Sequence, residues 1–140
     1  MERFPGFGRA VRAPTEGVVI AAAHAMVDHP AFRGLPSLYY ALTQQRRAAL
    51  GWPALAGNHI MLRAGDIVIA LCHLQRGSVA VEVGQTVHTG DPIGRCGNSG
   101  NSTEPHVHMQ AFAGPQPERA SPVRMIFPGE PPRNGSMLDI

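Results

Sequence analysis

Two histidines one residue apart, His106 and His108, carry the first chemical signal in this chain. Side chains alternate along an extended backbone, so positions i and i+2 point to one face. A strand facing a core would place Val, Ile or Leu at both positions. Two imidazoles there can instead bind a metal ion or exchange protons with a substrate. A run of small polar residues, Gly97–Glu104, precedes them, and Pro105 fixes φ where a strand can begin without losing a ladder bond. The competing reading is a pair of histidines turned to solvent on an edge strand. A third histidine, His73, lies near the end of the apolar run Ile67–Leu74. Alternation predicts Ile67, Ile69, Leu71 and His73 on one face and Val68, Ala70, Cys72 and Leu74 on the other.

The elements that must position these residues are mostly short strands. A chain of 140 residues is long enough to bury a core without disulfides, and one domain is the natural expectation. With Gly 16 and Pro 13, turns are frequent, which favours strands over a helical bundle. Val18-Val19-Ile20 follows the turn Ala13–Gly17 as a β-branched strand. Asn58–Arg63 and Ile67–Leu74 flank the turn Ala64-Gly65-Asp66 and read as a hairpin. Val79, Val81 and Val83 alternate as a further short strand, and Gly84–Val87 and Gly90–Ile93 repeat one turn-then-strand unit. One helix is expected, over Leu38–Leu50 with Ser37 as its cap, ended by Gly51-Trp52-Pro53. Such units pack as two antiparallel sheets or a partly closed barrel, so the expected class is mainly β. The expected organisation is a β domain over residues 1–112, interrupted by a helical insert at 36–51. A Pro-rich, mostly irregular tail over 113–140 follows, with Val123–Phe127 as a further edge strand.

Composition removes several function classes. Net charge is +2 and no basic stripe carries interleaved aromatics, so nucleic acid is not indicated. Cys72 and Cys96 are too few for a disulfide framework and read as buried thiols. The longest apolar run, Val18–Ala23, is too short to cross a bilayer. The first residues hold no apolar leader segment, which reads as a protein that starts in the cytoplasm. All twelve basic residues are arginine. That removes lipoyl- or biotinyl-type carriers, whose glycine repeats look similar but which display a lysine.

Five motifs together resemble the lysostaphin-type, or LytM-like, zinc endopeptidases. They are H-L-x-x-G-S-V at His73–Val79, V-x-x-G-x-x-V-x-x-G-x-x-I-G at Val81–Gly94, G-N-S-G-N-S-T-x-P-H-V-H at Gly97–His108, V-x-A-P-x-x-G-V-V at Val11–Val19, and Gly57-Asn58-His59-Ile60. The likeness covers Val11–Phe112, broken between Pro30 and Leu55. It implies an antiparallel β-sheet groove, one zinc ion, and cleavage of short peptide bridges, usually in bacterial peptidoglycan at the cell envelope. It also implies roles: His108 as a zinc ligand, His106 and His73 as catalytic histidines. Catalytic zinc takes three protein ligands, activates a bound water and polarises the scissile carbonyl. Neighbouring imidazoles accept the water's proton or hydrogen-bond the oxyanion.

The pattern departs from the family at one place. An H-x-x-x-D pair is expected upstream of the V-x-A-P element, and Met1–Ala10 hold neither His nor Asp. His24 and Asp28 do spell H-x-x-x-D, but beyond the first strand, and would lie about 13 Å apart if extended. The expectation is therefore an incomplete metal site, with the missing pair upstream of Met1 as one source of it. Glu104 stands where the family often has Gly, and Gln110 where an acidic residue is common. His59 and His88 are not expected to bind metal. The alternative function is a non-catalytic binding or regulatory module of the same fold.

Overall fold

The computed structural model describes residues 4–31, 48–114, 116–117 and 119–126. Its strands are β1 (Ala10–Arg12), β2 (Gly17–Ala23), β3 (Asn58–Ala64), β4 (Ile67–Leu74), β5 (Thr86–Val87), β6 (Pro92–Arg95), β7 (His108–Ala113) and β8 (Ser121–Val123). A short helix, α1 (Trp52–Ala56), precedes β3. A six-stranded antiparallel sheet has the order β5-β2-β3-β4-β7-β8, and β1 pairs with β6 in a separate ribbon. This is the mainly β, antiparallel architecture that the residue pattern predicts.

The large sheet is apolar on both faces. Val19, Ile60, Leu62, Leu71 and Leu74 meet Val11, Val81, Val87 and Ile93 from the ribbon and its turns. Met61, Val68, Ala70, Cys72 and Phe112 form a second cluster, closed by Ala56 of α1 and by Trp52. Each large aliphatic side chain buried in this way contributes about 1.5–3 kcal/mol. The expected β3–β4 hairpin forms, with Ala64 still in β3 opposite Ile67 and the turn made by Gly65-Asp66.

Several elements differ from expectation. Residues 38–47 of the predicted helix lie outside the described residues. Ala48 is helical and Gly51 is not, so a helix does end ahead of Gly51-Trp52-Pro53; Pro53 also opens α1, because proline at the first helical positions loses no intrahelical bond. Val79–Val83 form no strand: Val81 is buried, Val83 is 65% exposed, and Ala80 makes a single backbone bond to Ile93. The tail does add an edge strand, β8, but at Ser121–Val123; residues 127–140 lie outside the described set. Both cysteines are free and buried, as expected. Among the described residues no helix is long and apolar enough to cross a membrane.

Candidate active site

The alternation predicted for β4 holds as far as Cys72 and then breaks. Leu71 pairs with Ile60 and Leu74 with Asn58, so Cys72 and His73 together stand opposite His59. This bulge puts His73 at φ 63, the one non-glycine residue with positive φ among those described. His73 consequently leaves the Leu71 face and lines the same cleft as Cys72, while Leu74 returns to the opposite core. The expected face for His73 was wrong because a backbone bulge resets the period of two.

The loop after β6 holds His73 at two points. Its carbonyl accepts from the Gly97 N–H at 3.1 Å, and its Nδ1 lies 2.9 Å from the Ser99 carbonyl. A carbonyl only accepts, so the ring proton sits on Nδ1 and the lone pair on Nε2. Ser99 is itself fixed: its hydroxyl accepts from Asn58 N–H and donates to the Leu74 carbonyl, both at 2.9 Å. Gly57 and Gly100 allow the backbones to meet there. A Cβ on Gly57 would lie 2.6 Å from Ser99, and one on Gly100 would collide with Gly57. The loop glycines thus serve chain-to-chain approach.

His106 and His108 share the cleft, as their spacing predicts. The Glu104 carbonyl accepts from His106 Nδ1 at 2.8 Å and from the Ser102 hydroxyl at 2.7 Å. Ser102 is buried and its Oγ stands 3.1 Å from the same Nδ1. His106 therefore also carries its proton on Nδ1. The His73 ring is 4.8 Å from the His106 ring and 6.2 Å from the His108 ring, centroid to centroid. His108 opens β7 opposite Cys72.

These three imidazoles line a cleft of about 360 Å³ with Trp52, Leu55, Ala56, Cys72, Asn101 and Gln110. Burial pushes the His73 imidazole down to about 4; the Ser99 bond opposes this, and the neighbouring histidines add to it. His73 is therefore neutral at pH 7. Burial pushes the Cys72 thiol up to about 12, so it stays protonated at pH 7 and is not a nucleophile.

The other candidates are elsewhere. His24 lines a separate groove with Val79–Val83. Asp28 gives both carboxylate oxygens to backbone N–H groups, of Asn98 at 2.7 Å and Arg76 at 2.8 Å. The tempting H-x-x-x-D thus forms no metal site here. His59 is buried, bonded to the Gly57 carbonyl at 2.7 Å, and burial lowers its pKa. It meets Trp52 edge-on at 4.8 Å and so braces a wall of the cleft. His88 sits in an exposed turn beside Asp91. Glu104 acts through its backbone carbonyl, and Gln110 lines the cleft.

A zinc ion is poorly matched by these residues alone. Among the described residues no carboxylate lines the cleft, and no three His, Cys, Asp or Glu side chains are grouped to hold a metal. Sequence reasoning missed the contributions of Trp52, Ser99 and Ser102. Ser99 and Ser102 lay in plain view in the Gly-Asn-Ser run, whose small polar residues fit a loop that orients ring nitrogens.

The profile of Peptidase family M23 matches residues 4–119. The fold is similar to the catalytic domain of the antimicrobial peptidase lysostaphin from Staphylococcus simulans, at 23% identity and TM-score 0.56, covering 85% of this chain and 70% of that one. It is also similar to a catalytic-domain variant of the prophage-encoded M23 protein EnpA from Enterococcus faecalis, at 19% identity and TM-score 0.55, covering 84% and 67%. A zinc-containing peptidase from Vibrio cholerae matches at 21% identity and TM-score 0.51, covering 83% of this chain and 26% of that one.

Proposed function

Because the chain belongs to Peptidase family M23, we propose that its cleft binds peptide segments of bacterial peptidoglycan and is built for zinc-dependent hydrolysis of their bridges. In this reading His73 and His106 are catalytic, and His108 is the imidazole offered to zinc. The described residues leave the metal short of the three ligands a catalytic zinc takes.

One observation carries the reading: His73 reaches His106 and His108 only through a strained bulge, φ 63, fixed by the Ser99 carbonyl. Such strain costs about 1–3 kcal/mol and persists where the surroundings over-determine it, above all at functional sites. The two catalytic rings then divide the work. With its proton committed to Ser99 and its pKa near 4, His73 is a weak base. It accepts a hydrogen bond at Nε2 and orients the attacking water. His106, exposed and set by the Glu104 carbonyl, takes the proton. Trp52, Leu55 and Ala56 supply an apolar wall for an uncharged peptide backbone.

Trp52 is the single tryptophan and lines the cleft, so its emission reports occupancy. Peptidoglycan-derived peptides should change that emission saturably, and Leu55→Arg, which crowds the cleft, should abolish the response. An unchanged signal up to millimolar peptide would overturn the reading.

A further inference from the structure

The segment after β2 was a poor metal site, but its contacts have a direct bearing on His73. Asp28 bridges two stretches that flank this histidine. Its Oδ1 accepts from Asn98 N–H at 2.7 Å, in the loop that bonds His73. Its Oδ2 accepts from Arg76 N–H at 2.8 Å, three residues beyond His73 on its own chain segment. Residues 97, 98 and 99 therefore bond in succession to the His73 carbonyl, the Asp28 carboxylate and the His73 ring.

The neighbouring residues strengthen this junction. His29 N–H donates to the Asn98 carbonyl at 3.2 Å, and the Asn98 amide returns a bond to the His29 carbonyl at 2.9 Å. His29 Nε2 lies 3.1 Å from the Gly100 carbonyl. Gly97 is needed for the carboxylate to reach the loop, because a Cβ there would lie 2.5 Å from Asp28 Oδ1. Bonds from backbone N–H to a carboxylate are stronger than those between neutral groups. A loop so held can keep a side chain at positive φ in one ring orientation.

We propose that Asp28 is a positioning residue for His73: it clamps the 97–99 loop so that the Ser99 carbonyl fixes the His73 ring with its proton on Nδ1. This rests on the reading of His73 as part of the peptidase site, but its test does not need activity.

The test uses the purified full chain and long-range nitrogen–proton spectra of the imidazoles, which show which ring nitrogen carries the proton. Wild type should show His73 as a single Nδ1–H tautomer at pH 7. Asp28→Ala should convert it to a mixture of tautomers and speed amide exchange at Asn98 and Arg76 by about tenfold or more. Asp28→Asn, isosteric but with one acceptor oxygen, should show the same change to a smaller degree, and it decides the matter if the alanine variant does not fold. Asp91→Asn removes a carboxylate that accepts a backbone N–H in the His88–Asp91 turn, and should leave His73 unaltered. A pure Nδ1–H tautomer in either folded Asp28 variant overturns the proposal. A tautomer change without any peptide response at Trp52 would keep the clamp and refute the peptidase reading.

Discussion

The neutral His73 predicts a specific dependence of stability on pH. Its folded pKa is about 4 against an ordinary value of 6.5, and burial is the main cause. Above pH 6.5 the ring is neutral in both states, and stability is at its full value. As pH falls below 6.5 the unfolded chain takes up a proton that the folded chain refuses, so stability declines until the folded ring titrates near 4. At about 1.36 kcal/mol per pH unit, the gap amounts to about 3 kcal/mol. His73→Asn removes this contribution while keeping an amide donor for Ser99 and a residue type that tolerates positive φ. Urea unfolding of both proteins at pH 7, 5.5 and 4 isolates the effect, because groups common to both, including His59, whose pKa burial also lowers, cancel in the difference. Wild type should lose about 3 kcal/mol more than the variant between pH 7 and 4, a midpoint shift of about 1 M urea or more. Parallel losses in the two proteins would refute the argument that His73 is held neutral by burial.

Glycine substitutions separate backbone strain from collision. Gly57→Ala and Gly65→Ala share positive φ, 67 and 60, but a Cβ meets Ser99 at 2.6 Å in the first and open space in the second. The left-handed cost of about 1–2 kcal/mol and the unfolded-state entropy are common to both, so chemical denaturation should show Gly57→Ala worse by about 1–3 kcal/mol. Equal losses would refute the close approach. Ser102→Ala removes the buried hydroxyl beside His106 Nδ1 and should cost about 1 kcal/mol in urea unfolding. Zinc should bind the purified chain with micromolar or weaker affinity in competition with a chromophoric chelator, because the described residues form no three-donor set; one-to-one binding below micromolar would contradict this. In any form of the protein that turns over peptide, His106→Ala should lower kcat by about a hundredfold or more, followed by mass spectrometry of the products.

The part of the site legible in the sequence is the part that follows local periodicity. His106 and His108 share the cleft with Val107 turned to the core between them, although β7 begins at His108 and not at Pro105 as expected. His73 broke the same rule, since a bulge at a non-glycine residue leaves no mark in its neighbours; its cost is met by bonds from residues 97 and 99. Gly51-Trp52-Pro53 does follow a helix end at Ala48, but the start of α1 at the same residues was not foreseen, because proline marks either side of a helix boundary and only the chain beyond decides which. Val79–Val83 alternates like a strand, yet its backbone bonds are a single one from Ala80 to Ile93 and local ones between Glu82 and Gln85, and its side chains split between core and solvent. Asp28 was visible as part of a ligand motif, but nothing local shows that its oxygens are used by Asn98 and Arg76.

These observations locate the precision of the cleft in the docking of one loop rather than in the sheet. β4 supplies His73 and β7 supplies His108, but a ladder alone would turn His73 toward the Leu71 core. What turns it outward is the loop of residues 97–100, seated against Gly57, Gln75 and Asp28. Its small residues are then a geometric requirement: any Cβ at 97 or 100 displaces backbone that must bond His73 or Asn58 through Ser99. Perturbing that seat should alter the His73 ring before it alters the apolar clusters, since Ile60, Leu62 and Phe112 are buried without help from it. The site should therefore open before the fold that carries it, which amide exchange at residues 97–100 against β3 would show, because a few directional bonds set it over a large apolar core.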